Sequence, residues 1–361
     1  MHLTGLQLTD FRNYREATLA APPGLILARG ANGAGKTNLL EAIYFLAVCR
    51  SFRTGRDRDL TREGQAGFAL RARVAAPAGE EELELSYAAA QGKRAVVNGE
   101  ALPRLLDYVG TFAAVAFVPE DMELAQGEPS VRRRFLDMWL GQQSREYLYD
   151  LQRYQEVLVR RNSLLAHGAP RAEREPYDNE LIVAGSALTA ARARAAAHLI
   201  PAAGTAYAEL APAGESFEVA YEPSVPAAST DKAEVETKFR EALARVARAE
   251  EERRQTLVGP HRDDLALLVA GRDARRFASE GQQRTAALAL RLAQYRLLAA
   301  QRGDPPILLL DDVTSALDAG RQARLFEAAQ TAPQVWLTAP EKPTSLKPNA
   351  EYYIANGEIS Y

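Results

Sequence analysis

Apolar and polar residues alternate through much of the first 120 residues, which is the pattern of half-buried β-strands. The Asn98-Gly99 pair lies just after one such run and is a two-residue hairpin signal. The pattern changes at about residues 37–48, where apolar residues follow helical spacing instead. Strands are predicted at residues 3–9, 24–29, 67–76, 82–88, 94–98 and 112–118.

Helical periodicity dominates the middle of the chain. Ser130 is a candidate N-cap for a first helix, and Pro201 is expected to end a second one. A helix near 35 residues would be about 50 Å long at 1.5 Å per residue, which makes a short arm. Three helices are predicted at about 130–168, 177–199 and 231–253, with a strand at 217–222.

Alternating strands and helices return after residue 253. A hairpin is predicted around Gly271, a helix opens at Ser279, and strands follow at 307–310 and 335–338. An amphipathic helix is expected after the segment 315–318. The pattern predicts an α/β fold in which residues 1–121 and 253–361 form one discontinuous domain. Residues 122–252 are then a mostly helical second domain inserted into it.

The segment between strand 24–29 and the following helix carries Gly30-x4-Gly35-Lys36-Thr37, the pattern of a phosphate-binding P-loop. Glycines let the backbone turn tightly, so that several N–H groups and the helix N-terminus meet one anion. Lys36 can reach the β- and γ-phosphates, and the Thr37 hydroxyl can ligate Mg²⁺. We therefore predict a site for ATP and Mg²⁺. Its predicted nucleotide-binding residues here are Gly30, Ala31, Asn32, Gly33, Ala34, Gly35, Lys36 and Thr37.

A second motif supplies carboxylates. The apolar run at 307–310 ends in Asp311 and Asp312, which is the Walker B pattern. Asp311 can hold the metal together with Thr37, and Asp312 can orient or deprotonate the attacking water. Lys36, Asp311 and Asp312 are therefore predicted catalytic residues.

The helix that precedes Walker B opens with Ser279-Glu280-Gly281-Gln282. This segment resembles the ABC-type signature, with Glu280 in place of its first glycine. A serine hydroxyl, a glycine N–H and a helix N-terminus together can bind an anion. Ser279, Gly281 and Gln282 are thus predicted to contact the nucleotide of a second subunit, with Ser279 in a catalytic role. Kinase and GTPase interpretations leave this segment unexplained.

Composition limits where DNA could bind. The net charge is −3, so a DNA site must be a local basic patch. The single Cys49 suits a reducing cytosol, and the sequence shows neither a signal peptide nor an apolar run near 20 residues. These features predict a cytoplasmic protein that does not bind a membrane. The first DNA-binding candidates are Arg50, Arg53, Arg56, Arg58 and Arg62, and the second are Arg132, Arg133 and Arg134.

The order of these motifs resembles the RecF family of the SMC/ABC-like superfamily, the bacterial recombination-repair ATPases. The most specific parts of the resemblance are segments 50–53 and 259–264, which separate this chain from generic ABC proteins. The matching segments are 11–14 (Phe-Arg-Asn-Tyr), 33–43, 50–53 (Arg-Ser-Phe-Arg), 119–121 (Pro-Glu-Asp), 259–264 (Gly-Pro-His-Arg-Asp-Asp) and 279–282. The resemblance covers nearly the whole chain. It implies an ABC/SMC-like P-loop ATPase head and adds Arg12 and Asn13 to the nucleotide-binding residues.

The resemblance also implies a function. It implies a homodimer that forms when ATP is sandwiched between the P-loop of one chain and the signature of the other. It implies binding to gapped DNA or single–double-strand junctions, with RecR and RecO as partners that help to load recombinase onto single strands. Hydrolysis would then be weak, stimulated by DNA, and would act as a switch.

Two positions depart from the wider ABC pattern. The second Walker B residue is Asp312 where many ABC proteins have Glu, which favours slow hydrolysis. Many ABC proteins carry a histidine after the last sheet strand, but this chain has Thr338-Ala339-Pro340. Either Glu120 or Asp121 is expected to take the place of the usual lid glutamine.

Two alternative functions stay open at this point. One is an energy-coupling subunit of an ABC transporter, which the long insertion argues against. The other is an ATP-gated interaction module in which hydrolysis is incidental. An Asp312→Asn variant that still supports recombinase loading would favour the module.

Overall fold

The computed structural model describes residues 1–76, 79–211, 214–226, 230–313, 319–342 and 346–361, so the predicted segment 315–318 lies outside the described residues. The chain divides into two compact units. The first comprises Met1–Met122, Glu209–Pro212 and Leu288–Tyr361, and the second comprises Glu123–Ala208 and Ala213–Ala287. The second unit therefore continues past residue 252, where we expected the insertion to end. It does so because the strand at 264–269 pairs with the strand at 217–222.

The strands and helices are as follows. The strands are β1 (His2–Phe11), β2 (Tyr14–Ala20), β3 (Gly24–Arg29), β4 (Gly67–Ala76), β5 (Gly79–Ala88), β6 (Gly92–Val97), β7 (Glu100–Ala101), β8 (Ala114–Phe117), β9 (Phe217–Glu222), β10 (Asp264–Val269), β11 (Arg272–Asp273), β12 (Ile307–Leu310), β13 (Gln334–Ala339), β14 (Ala350–Ala355) and β15 (Glu358–Ser360). The helices are α1 (Lys36–Val48), α2 (Leu105–Tyr108), α3 (Met122–Gln126), α4 (Pro129–Gly141), α5 (Arg145–Ala166), α6 (Arg171–Leu210), α7 (Lys232–Arg253), α8 (Ala274–Phe277), α9 (Glu280–Arg302) and α10 (Ala319–Ala329).

Two six-stranded sheets build the first unit. One is antiparallel, with the order β2-β1-β4-β5-β6-β7, and the Asn98-Gly99 turn joins β6 to β7 as predicted. The other has the order β15-β14-β3-β13-β12-β8, in which all strands but β15 run parallel. Helix α1 is buried along most of its length and contacts strands of both sheets. Our strand predictions missed β2, β14 and β15.

The parallel sheet decides where the functional residues meet. Leu310 of β12 pairs with Phe117 of β8 on one side and with Leu337 of β13 on the other. Ala339 of β13 pairs in turn with Arg29 of β3. The residues that follow these strands therefore emerge at one edge of the sheet, as the carboxyl ends of parallel strands do.

A buried glutamine connects the two sheets. Gln334 is fully buried, and its amide accepts from the backbone N–H of Leu3 at 3.1 Å and donates back to the Leu3 carbonyl at 2.9 Å. It also donates to the carbonyls of Ala21 and Pro22 at 3.0 and 2.9 Å. The amide thus satisfies edge groups of β1 and the β2–β3 loop that would otherwise be buried without a partner.

The helices of the second unit differ from the prediction. The first predicted helix is two helices, because Ser144 caps a new helix by accepting from the backbone N–H of Tyr147 at 3.1 Å. Helix α4 starts with Pro129 at its first position, so Ser130 is not its cap. Pro201 does not end α6, which continues to Leu210. The continuation buries Ala203, Tyr207 and Leu210, and this burial outweighs the hydrogen bond that a proline removes.

The segment 259–264 builds the interior of the second unit. Asp263 is fully buried and accepts from the Arg192 guanidinium at 2.9 Å and the Tyr221 hydroxyl at 2.6 Å. The Nδ1 atom of His261 lies 2.6 Å from the Tyr154 hydroxyl, and its Nε2 lies 3.2 Å from the Thr256 carbonyl. Burial lowers the pKa of His261 to about 4. His261 therefore has the structural environment of a neutral core histidine.

Candidate functional site

The P-loop connects β3 to α1, and two of its glycines are sterically required. Gly30 has a φ of 153°, and a Cβ there would lie 2.1 Å from the Ile354 carbonyl oxygen. Gly35 has a φ of 121°, and a Cβ there would lie 2.6 Å from the Asn13 amide. Both positions need the conformational range of glycine and its lack of a side chain. The loop residues between them are exposed from Ala31 to Gly33.

Neighbouring elements hold the loop by its carbonyl groups. The Ala34 carbonyl accepts from the Asn13 side chain at 2.8 Å and from the Gly357 N–H at 3.1 Å. The Gly35 carbonyl accepts from the Tyr14 hydroxyl at 2.9 Å. With these carbonyls bonded, the N–H groups at the start of α1 remain as the donors that a phosphate can use. Asn13 thus stabilises the P-loop through the Ala34 carbonyl. Gly357 stabilises it in the same way, and the sequence did not predict that role.

Lys36 lies over its own loop. Its side chain is buried, and the ammonium donates to the carbonyls of Gly30 and Ala31 at 2.7 and 2.9 Å. Two carbonyls thus stabilise the charge at the mouth of the loop, in the region where phosphate oxygens of a nucleotide would compete for it.

The Walker B carboxylate meets the P-loop helix as predicted. Asp311 accepts from the Thr37 hydroxyl, with distances of 3.0 Å to Oδ1 and 2.8 Å to Oδ2. The Thr338 hydroxyl donates to the same Oδ1 at 2.6 Å. Burial raises the pKa of Asp311, and the bonds from Thr338 and Thr37 oppose that rise. The oxygens of Thr37 and Asp311 are hard ligands of the kind that Mg²⁺ prefers.

Thr338 also holds the second carboxylate residue in place. Its hydroxyl accepts from the backbone N–H of Asp312 at 2.9 Å, and Thr338 itself is fully buried. Asp312 has a φ of 48°, a left-handed conformation that Asp and Asn tolerate better than most residues. Thr338 stands where many ABC proteins have a histidine. It does not offer a base there but fixes the conformation of both aspartates.

Of the two candidates for the lid position, Asp121 is buried and bonded within the first unit. Asp121 accepts from the Val118 N–H at 3.0 Å and forms a buried ion pair with Arg291 at 2.6 Å. Glu120 is half-exposed, and burial raises its pKa, with the nearby Asp311 charge acting in the same direction and Arg53 against it. Glu120 is therefore close enough to Asp311 to feel its charge, whereas Asp121 is part of the packing.

A buried glutamate binds Arg12, which the resemblance assigned to the nucleotide, and lies near Arg53, which the basic loop offered as a DNA-binding candidate. Glu41 is fully buried and binds the Arg12 guanidinium through two bonds of 2.8 Å. The Ser51 hydroxyl also donates to it. Arg53 lies 3.6 Å from Glu41 and 3.6 Å from Glu120, and it donates to Asn38 at 2.9 Å. Arg12 and Arg53 thus join the P-loop helix to the loops around it.

The basic loop has two kinds of arginine. Arg53 and Arg62 are engaged, since Arg62 pairs with Asp10 at 2.7 Å. Arg50, Arg56 and Arg58 are exposed and form no ion pair with any residue in the described ranges. The free charge of this loop therefore lies on these three side chains.

The second DNA candidate is contradicted in part. Arg132 is buried and makes a two-bond ion pair with Asp264 at 2.8 Å, because α4 packs against β10. Arg133 donates to the Asp263 carbonyl at 2.7 Å. The Arg132 guanidinium is thus neutralised by Asp264 inside the second unit and is not available to a DNA phosphate.

The signature segment is both a helix cap and an exposed surface. Gln282 accepts from the Ser279 N–H at 2.8 Å, and its own N–H donates to the Ser279 hydroxyl at 3.3 Å. This reciprocal pair is a capping box at the start of α9. The Gln282 amide also donates to Glu215, which accepts from the Tyr207 hydroxyl at 2.6 Å. Ser279 and Gly281 remain exposed, whereas the Gln282 amide is used within the unit.

Comparison with known proteins identifies the family. The RecF/RecN/SMC N terminal domain family matches residues 2–355. "DNA replication and repair protein RecF" of Symbiobacterium thermophilum is 44% identical over 343 residues, which cover 94% of this chain and 91% of that protein. The RecF protein of Geobacillus thermodenitrificans is 38% identical and covers 100% of this chain and 99% of its own length. The chain belongs to the RecF family.

Solved structures agree with this assignment to the RecF family. "Structure of the recombination mediator protein RecF-ATP in RecFOR pathway" is similar with a TM-score of 0.93 at 30% identity, and covers 99% of this chain and 97% of that one. An Smc head domain from Pyrococcus furiosus is similar with a TM-score of 0.56 at 15% identity over 99% of this chain and 95% of that one, which supports the fold alone. The predicted ABC/SMC-like head with mixed sheets and helices is therefore confirmed. None of the helices in the described ranges combines the length and apolar character needed to cross a membrane.

Proposed function

We propose that this RecF-family protein is an ATP-dependent DNA-repair ATPase whose nucleotide state controls its assembly on DNA. The observation that carries the proposal is the meeting of the two motifs at one sheet edge. The Thr37 hydroxyl lies 2.8 Å from the Asp311 carboxylate, and the Lys36 ammonium is held at the loop mouth. The similar RecF-ATP structure supports ATP as the nucleotide.

The chain's own residues divide the work at this site. The P-loop N–H groups and Lys36 bind the phosphates, with Lys36 exchanging its carbonyl partners for phosphate oxygens. Thr37 and Asp311 fit a Mg²⁺ ion, which would neutralise phosphate charge. No group of three or more His, Cys, Asp or Glu side chains in the described part of the chain forms a metal cage. That suits Mg²⁺, which is usually held by one or two protein ligands, phosphates and water. Asp312 positions the attacking water.

The signature suggests how nucleotide controls assembly. Ser279 and Gly281 are exposed at the N-terminus of a 23-residue helix, where an anion is favoured. We assign them to the γ-phosphate held by a second copy, so that ATP joins two protomers and hydrolysis releases them. Ser279→Arg is then expected to spare ATP binding and to abolish dimers. Dimers of this variant at ordinary concentration would contradict the assignment.

DNA binding is assigned to the exposed arginines. Arg50, Arg56 and Arg58 offer sequence-neutral phosphate contacts, which suit recognition of a gap or of a single–double-strand junction by its shape. We also propose cooperation with RecO and RecR to load recombinase, and the RecFOR pathway to which the similar RecF structures belong supports this. We propose a cytoplasmic location, because that is where bacterial DNA lies.

The first test is sedimentation of the Asp312→Asn protein with Mg²⁺ and ATP, with ADP and without nucleotide. We expect dimers with ATP only, because the variant binds ATP but does not hydrolyse it. Lys36→Met should abolish ATP binding, whereas Lys238→Met, which changes a half-exposed lysine of α7, should not. Near-normal ATP affinity of Lys36→Met would overturn the nucleotide site.

A second measurement separates the switch from its alternative. Recombinase loading on gapped DNA by the Asp312→Asn protein should stall after one round, because the clamp does not reopen. Repeated loading by that variant would favour an interaction module in which hydrolysis is incidental.

A further inference from the structure

An exposed phenylalanine lies next to the signature. Phe277 ends helix α8, two residues before Ser279, and 63% of it is exposed. No other phenylalanine in the described ranges is classed as exposed. Removing a large apolar side chain from water lowers the free energy, so an isolated exposed aromatic ring is a candidate contact for a partner.

The fold holds this ring outside rather than leaving it on a loose loop. The Asp273 side chain caps α8 by accepting from the Arg276 N–H at 2.9 Å. The Gln283 amide donates to the Ala274 carbonyl at 2.9 Å, and Ala274 is fully buried. Buried Ala274 and these bonds fix the turn, so Phe277 is presented in one place. A backbone turn that is already ordered costs less conformational entropy when a partner covers the side chain it carries.

The position of Phe277 identifies the partner. Under the proposed function, Ser279 and Gly281 contact the nucleotide of a second copy of this chain. Two residues of extended backbone span at most about 7 Å, so Phe277 lies within reach of the same copy beside its nucleotide. Residues 275–277 and 279–281 are exposed, and Ala278 between them is half-buried, so Phe277 and the signature lie on neighbouring exposed segments.

We propose that Phe277 is an apolar anchor of the ATP-dependent dimer and packs on the P-loop side of a second copy of this chain. The inference rests on the proposed function, because it needs the dimer that ATP creates. In a two-fold dimer both copies insert the same residue. Each anchor should then contribute about tenfold or more to the dissociation constant, and loss of both should weaken the dimer about 100-fold.

The test uses the full chain with Asp312→Asn as background, so that hydrolysis does not disperse the dimer. Sedimentation with Mg²⁺ and ATP is compared for the background, for added Phe277→Ser and for added Val159→Ser. Val159 is the matched control, since it is 69% exposed, belongs to the same unit and is remote in sequence from the signature. We expect Phe277→Ser to weaken the dimer about 100-fold, Val159→Ser to leave it unchanged, and Phe277→Leu to restore most of it.

Two further readouts make the outcome decisive. Binding of a fluorescent ATP analogue at dilutions where all variants are monomers should be equal, which shows that the nucleotide site is intact, and equal urea unfolding of the variants excludes a folding defect around Phe277. Phe277→Trp should shift its emission to the blue when ATP is added at dimer-forming concentration only. The two native tryptophans are buried and give a constant background.

The failures can be told apart. A Phe277→Ser protein that dimerises like its background would overturn the anchor and leave the proposed dimer intact. A background that stays monomeric with ATP, with or without gapped DNA, would overturn the proposed dimer itself and the anchor with it.

Discussion

Thr338→Val tests whether one hydroxyl holds both Walker B aspartates. Valine is nearly isosteric with threonine, so the change removes two hydrogen bonds without leaving a cavity. The lost bond from Thr338 to the Asp311 carboxylate is 2.6 Å long and involves a charged acceptor, which makes it worth about 1.5–3 kcal/mol. The Asp312 N–H loses its 2.9 Å acceptor, which costs about 1–3 kcal/mol more if it stays buried. Together these give an expected loss of about 2.5–6 kcal/mol in the free energy of unfolding.

The assay combines denaturation with kinetics. Urea unfolding of Thr338→Val is compared with that of Thr338→Ser, which keeps the hydroxyl and loses only one buried methyl group, worth about 1 kcal/mol. ATP hydrolysis should fall at least about tenfold in the valine variant, because Asp312 is no longer held in its left-handed conformation. ATP affinity should change much less, since Lys36 and the P-loop are untouched. The serine variant should hydrolyse ATP at close to the normal rate.

One result would refute this reasoning. If Thr338→Val unfolds at the same urea concentration as the unmodified protein and hydrolyses ATP equally fast, the hydroxyl holds neither aspartate. Equal losses in the valine and serine variants would instead assign the effect to packing, because the serine keeps both hydrogen bonds.

Three further predictions follow from buried or exposed charge. Glu41→Ala leaves the Arg12 guanidinium without its two 2.8 Å bonds and should cost about 3 kcal/mol in urea unfolding, whereas exposed Glu218→Ala should cost little; equal effects would contradict the role of Glu41. The pKa of His261 is about 4 in the folded protein and about 6.5 in the unfolded chain, so protonation of His261 favours unfolding. The free energy of unfolding should therefore be unaffected by this group above pH 6.5 and should fall by about 3 kcal/mol as the pH drops to 4. His261→Gln should flatten that pH dependence and exposed His167→Asn should not, and a curve that His261→Gln leaves unchanged would show that other groups cause it. Replacement of Arg50, Arg56 and Arg58 by Gln should lower the magnitude of the salt slope of DNA binding by about 3, while the same change at exposed Arg240, Arg245 and Arg248 of α7 should leave it alone; an unchanged slope in the first variant would remove these arginines from the DNA site.

Local signals were sufficient for the elements whose form depends on neighbours in sequence. The strand at 24–29, the P-loop and the start of α1 were predicted to within one residue, because glycine conformation and helix polarity act over a few residues. The strand at 217–222 and the Walker B strand were predicted with their observed bounds. The Asn98-Gly99 turn was also predicted, since its residue types select one turn geometry.

Packing decided the elements where a local signal competed with burial. Pro201 signals a helix end, but α6 continues because Tyr207 and Leu210 are buried beyond it. The break at Ser144 had a local signal in its cap, which a continuous apolar pattern obscured. Burial of apolar surface changes the free energy by more than a proline or a cap does, so the tertiary contacts outweigh both.

The sequence by itself determined the chemistry available to this protein: a P-loop, two Walker B aspartates, a signature and a group of arginines. Only the tertiary structure decided what each side chain does. Arg12 binds buried Glu41, Arg132 binds Asp264, and Thr338 holds both aspartates. The two residues in each of these contacts lie 26 to 132 positions apart in the sequence. A buried charge or N–H must find a partner wherever the folded chain supplies one, and that choice depends on which strand ends share one edge of the sheet.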